Sequence, residues 1–227
     1  MKYKLLFILM WCWPLIGLGY DLSGLYLGPS IGYEFNPIEY QVISPPASDS
    51  ISRRTYNAQG LVGGGVIGLG KQFNRIYLGI EVRGLVSGAE ASETFNSLGG
   101  QQSLSISQEN TKSAGARLGF QLNPNWMPYL YVGNVWSALK VTETNTIGSL
   151  NFNSSDSIKK TLSNPAVGGG IILPLTEALK INMNFFHVFY NDKTSHLVTL
   201  FPNFQKEAHY SPKQNIFLFD VVYLFHI

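Results

Sequence analysis

Apolar and polar residues alternate with a period of two through much of the chain. The run at the end is the clearest. Phe217, Phe219, Val221, Tyr223, Phe225 and Ile227 fall on one face, and Leu218, Asp220, Val222, Leu224 and His226 on the other. In 178–190, Leu179, Ile181, Met183, Phe185 and Phe189 alternate with Lys180, Asn182, Asn184 and Tyr190. In 75–87, Ile76, Leu78, Ile80 and Val82 oppose Tyr77, Glu81 and Arg83. In 111–122, Ala114, Ala116, Leu118, Phe120 and Leu122 oppose Ser113, Arg117 and Gln121. A period of two places successive side chains on opposite faces and predicts strands. Four further runs, 23–34, 56–70, 128–142 and 162–173, share this composition and bring the expected strands to eight. The glycine triplets at 63–65 and 168–170 interrupt the alternation, as bends or close approaches between strands do.

The connections alternate in length. Short ones are Lys71-Gln72-Phe73-Asn74, Asn123-Pro124-Asn125-Trp126 and Pro174-Leu175-Thr176-Glu177. Long, polar ones are 35–55, 88–110, 143–161 and 191–213, with turn formers such as Pro45-Pro46, Gly99-Gly100 and Asn153-Ser154-Ser155. Short turns at one end and long loops at the other are the pattern of outer-membrane barrels, whose periplasmic turns are tight. The expected fold is all-β: an eight-stranded antiparallel transmembrane β-barrel with short periplasmic turns and four longer external loops. An even strand count puts both ends of the barrel on the periplasmic side.

Composition supports lipid over water on the apolar face. Charged residues make up 13% of the chain, about half the usual share of a soluble domain. No run after the first twenty residues approaches the length of a membrane helix, and a helix-free membrane protein has to be a closed barrel. A soluble periplasmic lipocalin-like carrier, apolar inside and polar outside, has the same alternation and stays open as an alternative.

The first residues read as a signal peptide over 1–19: Lys2 and Lys4, an apolar stretch from Leu5 to Leu18, and Gly17-Leu18-Gly19 as a cleavage site. The barrel domain is then expected over 20–227, with no further module after it. The single cysteine, Cys12, lies in that leader, so the mature chain uses no disulfide. The net charge of +2 comes from Lys2 and Lys4 alone. No basic patch remains to hold nucleic acid.

Gly24-Leu25-Tyr26-Leu27-Gly28, Pro128-Tyr129-Leu130-Tyr131-Val132-Gly133 and the final strand of alternating aromatics together resemble small outer-membrane barrels of the opacity-protein, OmpX and OmpA-barrel type. The resemblance spans nearly all the mature chain and implies insertion into outer-membrane lipid. It also implies that Tyr223, Phe225 and Ile227 form the terminal signal read by the barrel-assembly machinery, although the family pattern ends in Phe or Trp and this chain ends in His226-Ile227.

The polar face carries Glu81, Arg83, Arg117, Lys180 and Asp220. An eight-stranded barrel has room inside for side chains only, so these are expected to form a structural ion network filling the lumen. Trp126, Tyr129, Tyr131, Tyr223 and Phe225, at strand ends beside the short turns, are expected in the periplasmic interfacial girdle. No spacing among His187, His196, His209 and His226 suits a metal. A lipid-modifying barrel hydrolase, the enzymatic alternative, resembles this chain in size but has a serine two residues after its histidine, where Phe189 follows His187. Gly63-x-Gly65-x-x-Gly68 and Gly65-x4-Gly70-Lys71 lack the helix that phosphate loops need. No cofactor and no catalytic residue is expected. Function then falls to the long loops, with Arg53-Arg54, Lys159-Lys160, Phe201, Phe204 and Tyr210, as an envelope-structural or surface-interaction role toward a host or surface ligand. A narrow porin is the remaining alternative.

Overall fold

The computed structural model describes residues 21–43, 51–97, 100–123, 125–147, 152–190, 194–201 and 204–226. Residues 1–19 lie outside them. Among the described residues there are eleven strands: β1 (Gly24–Ile43), β2 (Ile51–Phe73), β3 (Ile76–Ser87), β4 (Glu90–Ser97), β5 (Gly100–Phe120), β6 (Met127–Ile147), β7 (Phe152–Pro174), β8 (Leu179–Val188), β9 (Thr194–Phe201), β10 (Phe204–Pro212) and β11 (Gln214–Phe225).

Eight of them close a ring. β1 pairs with β2 from Gly24↔Gly70 upward, β2 with β3, β3 with β5, then β6, β7, β8 and β11 follow. β11 returns to β1 through Leu25↔Phe225. All these pairings are antiparallel, so no edge is left for lipid to meet unpaired. The periplasmic turns hold themselves. Asn74, at φ 54° in the turn between β2 and β3, is a residue type that tolerates this left-handed conformation. The Asn123 side chain accepts from the backbone N–H groups of Asn125 and Trp126. The Thr176 hydroxyl accepts from Leu179 N–H.

Around the ring the outward positions are apolar and exposed: Leu27 and Ile31 on β1, Ile76 through Val82 on β3, Leu118 and Phe120 on β5, Leu130 and Val132 on β6, and Phe217 through Phe225 on β11. On β11 this band is nine residues long, which spans roughly 20–25 Å of height for a strand tilted about 40°. This is the lipid belt.

The four long connections are not loops. β1 runs on to Ile43 and β2 begins at Ile51; β5 begins at Gly100, β6 ends at Ile147 and β7 begins at Phe152, while β9 and β10 occupy most of 191–213. Only the tips, 44–50, 98–99, 148–151, 191–193 and 202–203, lie outside the described residues. The alternation persists above the belt but with its polarity exchanged. Ser103, Ser105 and Ser107 point outward while Leu104 and Ile106 are buried. Lys140 and Thr142 point outward while Leu139 and Val141 are buried.

Above the belt the ring separates into two four-stranded sheets. One is β9–β10–β1–β2 and the other β4–β5–β6–β7. At one seam a single register pair, Gln59↔Glu90, joins them. At the other, among the described residues, β7 pairs with β8 only from Ala166 to Pro174, and β9 pairs with β10 alone. Ile38, Tyr40, Tyr56 and Ala58 from the first sheet meet Leu104, Ile106, Leu139, Val141 and Leu162 from the second in one buried apolar cluster. The extracellular section is therefore a β-sandwich with a core of the water-soluble kind. Arg54 and Glu93, 3.9 Å apart and each about half exposed, face one another across the first seam.

Candidate functional site

The lumen is built in layers, because every second residue of each strand must occupy it. At the periplasmic end Tyr26, Val66, Val222 and Leu224 pack together. Glycines on neighbouring strands make room for the large rings: a Cβ at Gly68 would lie 2.3 Å from the Tyr26 ring, and one at Gly115 2.5 Å from that of Tyr131. A recess of about 20 Å³ opens between Leu22, Tyr26, Tyr77, Arg117 and Lys180, room for about one water.

The next layer holds the charges. Arg83 bridges Asp220 in bidentate fashion, Nη1 to Oδ1 at 2.7 Å and Nη2 to Oδ2 at 3.0 Å. Its Nη2 also lies 3.4 Å from Glu81 Oε1. Arg117 Nη2 lies 2.6 Å from Glu81 Oε2. All four side chains are almost wholly buried. Two guanidiniums and two carboxylates leave the layer neutral, which burial of charge requires. Neutral groups complete the shell. Tyr26 donates to Glu81, Arg83 to Ser30, and Asn184 to Asp220 at 3.0 Å. The Asn184 carbonyl accepts from Tyr129 and from Arg117. Arg117 also stacks 4.5 Å above the Tyr129 ring, a favourable cation–π contact. Side chains from β1, β3, β5, β6, β8 and β11 thus meet in one cross-section.

The structure joins Glu81, Arg83, Arg117 and Asp220 and leaves Lys180 apart. Lys180 faces inward near the periplasmic end, and its Nζ donates to the carbonyls of Thr176 and Glu177 in its own turn. The girdle expectation needs correction. Tyr129 and Tyr131 point into the lumen, 4% and 1% exposed, because they share a face with buried Met127, while Leu130 and Val132 take the lipid side. Trp126 is half-buried beside the Asn123 turn. Tyr223 and Phe225 do point outward at that end, as expected, and Phe73 and Phe120 join them there. Tyr223 and Phe225 stand exposed with ring centroids 4.7 Å apart, and Ile227 lies outside the described residues.

A second polar layer went unread in the sequence. Asn36 donates to Gln108, Gln108 to Thr111, Gln214 to Glu34, and Ser137 and Tyr190 both donate to Gln214. It coincides with a bulge between Gln108 and Thr111 on β5 and sits where barrel becomes sandwich. The available signal was phase: Glu34 stands between outward Tyr33 and Phe35, and Gln214 is six residues before Asp220 on the same face.

Of the histidines, His187 points outward, its Nδ1 2.7 Å from Asn215 Oδ1 and its ring edge-on to Phe189. The His226 ring meets the Glu177 carbonyl at 3.3 Å. The side chain of His196 lies outside the described residues. Among the described residues no three His, Cys, Asp or Glu side chains gather as a metal would require. The side chains of Arg53, Phe201, Phe204 and Tyr210 are likewise outside the described ones.

A closed antiparallel ring of eight strands, an apolar belt outside and paired charges inside together define a small outer-membrane β-barrel. No family model matches the chain and no curated protein is found similar to it. Among solved structures it is similar to the outer-membrane protein OprG of Pseudomonas aeruginosa, at TM-score 0.59 and 13% identity over 92% of this chain and 99% of that one. It is also similar to Ail, the attachment invasion locus protein of Yersinia pestis, at TM-score 0.44 and 13% identity, covering 89% of this chain and 99% of that one. Neisserial surface protein A matches at TM-score 0.42 and 13% identity, covering 89% and 98%. The OprG likeness is one of fold.

Proposed function

We propose that this protein is a non-enzymatic outer-membrane barrel that acts through its extracellular sandwich, holding a rigid surface away from the membrane for contact with a host or surface ligand. The observation that carries this reading is the exchange of polarity along single strands. From Asn134 to Ile147, β6 continues for fourteen residues past the belt, roughly 35 Å of height at a tilt of about 40°. A chain that needed only flexible loops there would have no use for a buried apolar cluster. The neutral, packed lumen argues against a conducting pore, since a path for ions has to break the Arg83–Asp220 and Arg117–Glu81 pairs. The surroundings of His187, an asparagine and a phenylalanine, argue against a hydrolase, which needs a nucleophile within hydrogen-bond reach of its base.

Export through cleavage after Gly19, and recognition of Tyr223 and Phe225 by the barrel-assembly machinery, belong to the same proposal. Mass spectrometry of the mature N-terminus checks the first. The test of function is a shortened barrel in which the β4–β5, β6–β7 and β9–β10 hairpins are rejoined just above the belt. It is expected to fold, to migrate heat-modifiably on a gel, and to lose surface adhesion without a change in envelope permeability. Lost envelope integrity with adhesion intact speaks for the structural role instead. Lipid hydrolysis by the purified full-length protein contradicts the proposal.

A further inference from the structure

The outward wall above the belt is electrically uneven. On the β5–β6–β7 side it carries Lys112, Lys140 and Lys159, all exposed. On β1 and β4 the outward charges are Glu39 and Glu90. Lys140 and Lys159 are direct register partners across the β6–β7 ladder, and like charges placed so repel one another. Glu109 relieves this in part. It accepts a hydrogen bond from Lys159, and that bond, with the nearby positive charge of Lys159 and Lys140, holds its carboxyl below the usual carboxylate range. Glu90, two strands from Lys140 through Ser107, is turned to Ser105. Among the described residues neither Lys112 nor Lys140 has a carboxylate within ion-pair distance. The trio and Glu109 together therefore hold a net positive charge, although basic and acidic residues balance over the chain as a whole beyond its first residues.

Position says what meets it. Lys112 is the register partner of Trp136, the last large apolar side chain on the outward face of β6, which is 39% exposed. Indole rings settle at headgroup depth, so the lysines begin where lipid headgroups begin. Lys140 stands four residues beyond Trp136, about 13 Å along the strand, so the patch reaches from the headgroup plane into whatever polar structure lies above it. Lysine is a point-charge donor suited to phosphate, and here it is mounted on paired strands.

We propose that Lys112, Lys140 and Lys159, with Trp136 at their foot, bind the phosphorylated headgroup of an outer-leaflet glycolipid, one carrying more than one phosphate. The full chain folded into phosphatidylcholine vesicles, with or without added lipid A, tests this through the temperature at which the heat-modifiable form is lost. Lipid A is expected to raise that temperature for the native chain. The triple variant K112Q/K140Q/K159Q is expected to match the native chain in phosphatidylcholine alone and to lose most of the rise. Its apparent lipid A affinity should fall at least about tenfold, since each lysine near an anionic surface contributes about fivefold. Lys213→Gln, an exposed lysine just before β11, should leave the rise intact. If the triple variant does not fold, Lys140→Gln alone is compared and is expected to lose part of the rise. The proposal is overturned if the variant keeps the full rise, if Lys213→Gln removes as much, or if inorganic phosphate without lipid A gives the same rise.

Discussion

The lower and upper halves of β6 obey one rule with opposite results. Near the periplasm Tyr129 and Tyr131 face in, and Leu130 and Val132 face lipid. Beyond the belt Leu139 and Val141 face in, and Lys140 and Thr142 face water. Backbone, ladder and period are continuous. Only the medium outside has changed. In lipid, the outward face supplies apolar surface and the lumen can hold charge, provided the charges cancel. In water, burial of apolar area again drives packing inward, and the ring opens into two sheets that close on each other. The bulge on β5 and the polar layer around Glu34 and Gln214 mark the boundary.

The two sections can be perturbed separately. The largest effect belongs to the charged layer. Arg117→Leu leaves Glu81 with the Tyr26 hydroxyl and its longer contact to Arg83, and removing one partner of a buried pair costs about 3–5 kcal/mol. A lower urea midpoint in vesicles reads this, and replacing Glu81 with Gln in the same chain should recover much of the loss. Next comes the sandwich. Ile106→Ala empties a wholly buried site at a cost of about 2–5 kcal/mol. The damage should be local: faster protease cleavage of the extracellular section, with the membrane section still heat-modifiable. Third, Phe219→Arg in the belt should cost about 2–4 kcal/mol, whereas Thr142→Arg, outward but above the belt, should stay within about 0.5 kcal/mol. The smallest effect is expected for Arg54→Ala at the seam. Its half-exposed partner Glu93 makes a pair worth at most about 1 kcal/mol, and a thermal shift near the error of measurement would agree.

The membrane section was legible because its faces differ in the coarsest way. Glu81, Arg83 and Arg117 sit in phase with tyrosine, glycine or small polar residues between lipid-facing aliphatics, and Asp220 sits in phase with Leu218 and Val222 between lipid-facing Phe219 and Val221. The same phase, carried back from Leu130 and Val132, also turns Tyr129 and Tyr131 inward; proximity to a short turn pointed the other way and misled. The extracellular section was hidden by composition rather than by any loss of period. Leu104 and Ile106 alternate with Ser103, Ser105 and Ser107 as regularly as any strand, but serine and threonine on a watered face look like linker. At Gln108–Thr111 the bulge inserts a residue and shifts the phase, so one long strand reads as a strand and a loop. The Glu34 layer was missed because its members come from separate strands and meet only in cross-section.

Polarity is exchanged along single strands at the belt's upper edge. The most direct test places single cysteines along β6 in a chain whose native cysteine, Cys12, precedes the barrel. Each is labelled with a spin probe, and its exposure to a lipid-soluble and a water-soluble relaxant is compared. Positions 130 and 132 should respond to the lipid-soluble agent, 140 and 142 to the water-soluble one, and 139 and 141 to neither. Strong water accessibility at 139 and 141, equal to that at 140 and 142, would mean a solvated loop above the membrane and would contradict the account.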